Sequence, residues 1–212
     1  MLYCLYINLT KRRVVSTASL VRDQVASTPR GSFMRSRDFP GSSSAVDMAL
    51  SRLASEPGPL VRVGRGVYWK GVDSRFGAGA PPALEAALEV AGLGSGPAGW
   101  SALRFLGLTS QLPALPHVAV PGRQPALRNA RVSKRSNALR VLLNPAEVAV
   151  LEVLREDWLG QIDGGHQALV EALRRLTADG QIRPDSIAEV SARESSLVRR
   201  QWASESASLW PI

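Results

Sequence analysis

Two hydrophobic periods alternate along the chain. The run "SSSAVDMALSRLASE" places Val46, Ala49, Leu50 and Leu53 at i, i+3, i+4 and i+7, which predicts an amphipathic helix. Ser43, Ser44, Asp47, Ser51 and Arg52 fall largely off that stripe. Upstream, Ser16 or Thr17 is placed to cap a helix running to about Ala26, with Leu20, Val21 and Val25 as its apolar side. Pro29 and Gly31 break it, and "SRDFPG" reads as a one-turn helix opened by Ser36 and stopped by Gly41. At "LVRVGRGVYW", Leu60 to Trp69, the period changes to two: Val61 and Val63 alternate with Arg62, and Val67 and Trp69 alternate with Tyr68. Gly64 and Gly66 offer the positive φ of a tight turn and carry Arg65 to its tip. The order helix, short helix, helix, hairpin predicts a winged helix-turn-helix over residues 1–72. Residues 1–9 are open between a strand, a helix lead-in and an extension.

Residues 73–82 belong to a Gly/Pro-rich stretch that reads as a linker. Beyond it Leu84, Ala87, Leu88 and Ala91 return to helical spacing. "GLGSGPAG" follows a helix rather than a strand and lacks a Gly-Lys-Ser/Thr, which argues against a phosphate loop. Pro97 is placed to open a helix through "AGWSALRFLGL". "HVAV" and "RVLL" read as strands, with "ARV" as a candidate third. Asn144-Pro145 pairs a cap with a first-turn proline. From there helical segments run to the end, packed by Trp158, Trp202 and Trp210, with their acidic residues mostly on surface faces. The fold class expected is α+β: a winged helix-turn-helix, then a mixed α/β domain over residues 83–212 that ends in helices.

Charge adds a partner to this outline. The chain of 212 residues has 26 Lys+Arg against 18 Asp+Glu, a net +8. Arginine outnumbers lysine 23 to 3, and its planar fork suits phosphates and guanine edges. Residues 1–80 hold 12 Lys+Arg against 5 Asp+Glu (net +7), whereas residues 144–212 hold 7 against 11 (net −4). A polyanion is therefore expected at the N-terminal part. With the second helix in a major groove, Ser43, Ser44 and Asp47 approach base edges or phosphates, and Arg52 touches the backbone. Arg65 is placed to enter the minor groove, and Arg35, Arg37 and Arg62 are phosphate candidates, as are Arg30 and Lys70. No acidic residue lies between Glu89 and Glu147. Arg123, Arg128, Arg131, Lys134, Arg135 and Arg140 form either a second basic surface or a solvated loop face.

Catalytic chemistry finds little support. One cysteine and two separated histidines, His117 and His166, cannot build a standard structural zinc site. No nucleophile–base spacing stands out, so no enzyme and no cofactor are expected. No apolar run approaches the ~18 residues that span a bilayer. "MLYCLYINLTKRR" runs apolar then basic, the reverse of a signal peptide, and a cytoplasmic protein is expected.

"SALRFLGLTSQLP" (101–113) and "HVAVPGR" (117–123) resemble the central signature of the AbiEi family of antitoxins. "GSF…SSSAVDMALSRLASE…LVRVGRGVYW" resembles that family's winged-helix domain, and "RSNALRVLLNPAEVAVLEVLRE" the segment after the signature. The likeness spans about residues 15–157. It implies an antitoxin of a bicistronic toxin–antitoxin system, acting in phage defence and growth control. In that family the N-terminal domain binds inverted repeats upstream of its own operon and represses it. The C-terminal domain neutralises a nucleotidyltransferase-like toxin of the AbiEii type, without requiring a stable complex. Direct binding, toxin modification and target protection all remain open. The alternatives are a stand-alone winged-helix regulator with a ligand-sensing or dimerisation domain, and an interaction protein that has lost DNA binding.

Overall fold

The computed structural model describes residues 16–55, 58–74, 77–122, 125–127, 129–155 and 158–209. The chain is mixed α and β and divides into two compact units, residues 1–80 and 81–212. Residues 1–9 and Trp210 lie outside the described residues.

In the first unit, α1 (Thr17–Ser27) is capped by Ser16, whose Oγ accepts from the Ser19 N–H at 3.2 Å. β1 (Phe33–Arg35) leads through a one-turn 3₁₀ helix (Ser36–Asp38) to α2 (Ser43–Leu53). β2 (Leu60–Gly64) and β3 (Val67–Lys70) follow, and the antiparallel sheet has the order β1-β3-β2. Val21 and Val25 of α1, Val46, Ala49 and Leu50 of α2, and Met34, Phe39, Leu60 and Tyr68 form one core.

The sheet face differs from the alternation expected. Tyr68, not Val67 or Trp69, enters this core. Phe33, Trp69 and Val61 stand in register on the opposite face, where the Phe33 and Trp69 rings lie 4.7 Å apart. Both faces of β3 are therefore covered, and period two alone does not say which one meets the helices. The hairpin also departs from symmetry. Gly66 is left-handed at φ 67°, whereas Gly64 is not; the register instead shifts by one residue between Arg62 and Gly64, a bulge at Val63.

Lys70 is a fold residue rather than a phosphate contact. Its Nζ donates to the carbonyls of Val25, Ala26 and Thr28 at 2.7, 3.0 and 2.6 Å. Those are the unsatisfied acceptors at the end of α1, where a cation is also favoured by the helix dipole.

After two-residue strands β4 (Asp73–Ser74) and β5 (Gly77–Ala78), which pair within the expected linker, the second unit opens with α3 (Ala83–Ala91). β6 (Gly96–Pro97), α4 (Trp100–Phe105), β7 (His117–Pro121) and β8 (Arg131–Arg135) follow. β6 pairs antiparallel with β7, and β7 parallel with β8. Pro97 thus sits in an edge strand, where its missing N–H is tolerated, and the helix begins later, at Trp100. Gly96 permits the close approach of β6 to α5 (Pro145–Val153): a Cβ there would stand 2.4 Å from Val148 Cβ. α6 (Gly165–Ala178), α7 (Pro184–Ser191) and α8 (Ser196–Leu209) complete the unit.

α5 is the centre of this unit. Every residue from Ala146 to Val153 is buried, so its apolar residues face neighbours all round, from Ala98 and Leu103 to Leu173 and Ile187. Its start is a reciprocal cap, in which the Asn144 side chain accepts from the Glu147 N–H at 3.0 Å and Glu147 accepts from the Asn144 N–H at 2.9 Å. "RVLL" is not a strand. Residues Ala138–Leu142 form a 3₁₀ helix, capped by the Asn137 side chain accepting from the Leu139 N–H.

The Lys70 cap sets a stability expectation. Lys70→Gln lowers unfolding free energy by about 1–2 kcal/mol, since three charge-assisted bonds at a helix end are lost. Lys134→Gln, at an exposed site, stays within about 0.5 kcal/mol. Denaturant titrations of the two variants check this.

Candidate nucleic-acid interface

The buried stripe of α2 leaves the other side of the helix to solvent. Ser43, Ser44, Asp47, Met48, Ser51 and Arg52 are all exposed. Periodicity anticipated all of these except Met48, an apolar residue lying off the stripe. Ser44, Met48 and Ser51, at i, i+4 and i+7, run along the middle of the exposed face, opposite Val46, Ala49, Leu50 and Leu53. Arg52 Nη2 lies 3.4 Å from Met48 Sδ.

The hairpin tip is tied to the 3₁₀ turn. The Ser36 N–H donates to the Gly66 carbonyl at 2.9 Å, and a Cβ on Gly66 would lie 2.8 Å from Ser36 Oγ. This contact gathers Arg65 with Arg35 and Arg37, the neighbours of Ser36. Arg65 and Arg37 are exposed, and Arg37 Nε stands 3.8 Å from Asp38 at the surface. Arg35 is half-buried, with its N–H donating to Asp38 at 3.3 Å. Arg62 is exposed on β2, opposite Tyr68 in register and therefore on the helix-bearing face of the sheet. The candidates thus fall into an α2 group, a turn-and-tip group, and Arg62 at the strand edge.

The second basic stretch does not form one surface. Arg140 is fully buried. Its Nη1 donates to Glu152 and its Nε to Glu194, both at 2.7 Å. Arg135 grips the same Glu152 with Nε and Nη2 at 2.8 and 2.5 Å, and Arg155 pairs with Glu194. Asn137 Nδ2 also donates to Glu194 at 2.9 Å. Arg131 and Lys134 are exposed, but they differ by an odd number of residues on β8 and leave opposite faces. Arg123 and Arg128 lie outside the described residues.

Among the described acidic residues of the last third, Asp163, Glu171, Asp179, Asp185 and Glu189 are exposed as expected, but four are not. Glu147, Glu152, Glu194 and Glu205 are buried rather than on surface faces. Burial pushes the Glu152 and Glu194 carboxyls up, but the hydrogen bonds and charge of their arginines outweigh it and hold both below their ordinary value. Glu147 is held low against the same burial by Arg183, whose Nε and Nη2 donate to it at 2.7 Å, and by backbone N–H groups of Asn144 and Arg183.

Neither histidine stands alone. His117 donates its backbone N–H to Ser101 Oγ at 2.9 Å and shares a 2.8 Å hydrogen bond between Nε2 and Ser133 Oγ. Burial, then the charge of Arg131, lower its pKa below 6.5, while Glu152 pulls the other way. His166 meets Glu205 at 2.9 Å and ties α6 to α8. No helix among the described residues is long and apolar enough to cross a membrane.

No family model and no curated protein matches the chain. Among solved structures, the crystal structure of the RV2827C protein from Mycobacterium tuberculosis is similar over 92% of this chain and 77% of that one, with 18% identity and a TM-score of 0.41. A likeness of that size decides nothing about function.

The buried network generates the stability expectations for the second unit. Arg140→Met leaves Glu152 and Glu194 without their central partner and costs about 3–5 kcal/mol. Acid acts on the same groups. The depressed carboxyl pKa values of Glu147, Glu152 and Glu194 contribute stability above 4.5, which is lost as pH falls through their folded values. The depressed His117 pKa acts earlier, because the unfolded chain takes up that proton first as pH drops below 6.5. Tryptophan-fluorescence unfolding at pH 7.5, 5.5 and 4 is expected to show falling stability at each step, with a smaller final drop in Arg140→Met.

Proposed function

We propose that the chain is an AbiEi-type antitoxin and autorepressor whose residues 1–72 form a winged helix-turn-helix. The observation that carries the DNA-binding part is the solvent face of α2. Apart from Met48 it is polar, ends in Arg52, and belongs to a segment of net +7 that also presents Arg65 on a hairpin tip. α2 would enter the major groove with Ser43, Ser44 and Asp47 toward base edges. Ser42 makes no side-chain capping bond to α2, and in this reading a phosphate oxygen would meet the first-turn N–H groups. Arg35, Arg37, Arg52 and Arg62 would contact the backbone, and Arg65 the minor groove. The partners are operator DNA with inverted repeats upstream of its own operon and, functionally, a nucleotidyltransferase-like toxin encoded beside it, both in the cytoplasm. The chain itself carries out no catalysis and needs no cofactor in this reading. Neutralisation would belong to residues 83–212, where Glu152 and Glu194 are committed to arginines while Asp163, Glu171, Asp179, Asp185 and Glu189 remain exposed.

Arg52→Ala combined with Arg65→Ala tests the DNA reading. Operator affinity is expected to fall, and the slope of log affinity against log salt to flatten by about 1 per lost phosphate contact. An unchanged slope and affinity would remove DNA binding from this surface. Co-expression with the adjacent gene tests the antitoxin reading. Both the wild-type chain and the double variant are expected to rescue growth, because neutralisation does not use the DNA face. A harmless neighbour would leave a stand-alone regulator as the better account.

A further inference from the structure

We infer that Met48 is a base-reading residue that recognises the 5-methyl group of thymine in the operator; the inference rests on the DNA-binding reading above. Met48 is 56% exposed, although methionine is ordinarily a core residue. It occupies the centre of the α2 face, between Ser44 one turn before and Ser51 and Arg52 one turn after. Among the described contacts of its side chain is the Arg52 guanidinium, which lies over its sulfur and is itself exposed.

The chemistry of the surrounding face selects the occupant. A lone apolar side chain amid hydroxyls and charges gains nothing from phosphates. The major groove offers one apolar group, the thymine 5-methyl. Asp47, exposed beside Met48, is repelled by phosphates, so this part of the helix is directed to base edges rather than to the backbone. Serine hydroxyls discriminate bases weakly and Asp47 can accept only from a donor such as cytosine N4, which leaves Met48 as the residue on this face able to favour thymine through its methyl group. Methionine's unbranched, flexible chain reaches a methyl group without demanding one helix orientation.

The test starts from duplexes selected by the full-length chain from a randomised library. Thymines in the selected duplex are then replaced one at a time by deoxyuridine, which removes the methyl and keeps the hydrogen-bonding edge. Wild-type protein is expected to lose about three- to tenfold in affinity at one position per half-site, the effect of uncovering one methyl group. Met48→Ala is expected to bind the two duplexes equally, and Met48→Leu, which keeps an apolar tip, to retain the discrimination. The salt dependence of all three should be alike, since no phosphate contact changes. Equal loss in wild type and Met48→Ala, or no thymine-to-deoxyuridine effect anywhere with salt-dependent binding intact, overturns the assignment while leaving DNA binding in place. Failure of the wild-type chain to enrich any duplex at low salt overturns both readings.

Discussion

The guanidinium of Arg140 has no exposure to solvent, and the second unit is organised around that fact. A charge removed from water is tolerated only when opposite charge and directed hydrogen bonds replace the water. Glu152 brings α5 to it, and Glu194 brings the turn between α7 and α8. Arg135 at the end of β8 and Arg155 just after α5 complete the cluster, which sets three guanidiniums around two carboxylates. One cation thereby joins a strand end, the central helix and the terminal helices. Replacing such a network wholesale by apolar side chains can be neutral, whereas taking out its centre is costly. Its effect on the fold is therefore directional: the segments can meet only where the forks and carboxylates align.

Arginine has two uses in this chain, and composition does not separate them. In the first unit Arg37, Arg52, Arg62 and Arg65 lie at the surface, around a small core of helices and sheet. In the second, Arg135 and Arg140 turn inward. The acid-free run before Glu147 looks like a surface for a polyanion because local counting finds no counter-charge. The counter-charges are 12 and 54 residues away from Arg140. Net charge accordingly supports the proposed nucleic-acid partner for the first unit, and describes an interior for part of the second.

Local chemistry made much of the fold legible. The α2 stripe, the Ser16 cap, the Asn144-Pro145 helix start and the hairpin around Gly66 all rest on contacts within a few residues. So did the separation of Ser43, Ser44, Asp47 and Arg52 from the apolar stripe of α2, which follows from helical spacing alone. Met48 also falls off the stripe by that spacing, although its apolar character suits a core. "RVLL" reads as a strand because three apolar residues follow one another there. The inward pull on Arg140 and the Asn137 cap hold it as a 3₁₀ turn instead. Which face of β3 meets the helices was equally hidden, since Val67, Tyr68 and Trp69 are all buried.

The amino-acid order by itself determined where α1, α2, α5 and the hairpin form, how α1 and α5 are capped at their starts, and which side of α2 faces water. These are consequences of backbone periodicity and of caps that act over three or four residues. Tertiary structure alone decided which arginines are surface and which are core, which glutamates are buried, and on which side Tyr68 stands. Those outcomes depend on partners brought together from distant parts of the chain, because a buried charge or a doubly covered strand is defined by its neighbours in space.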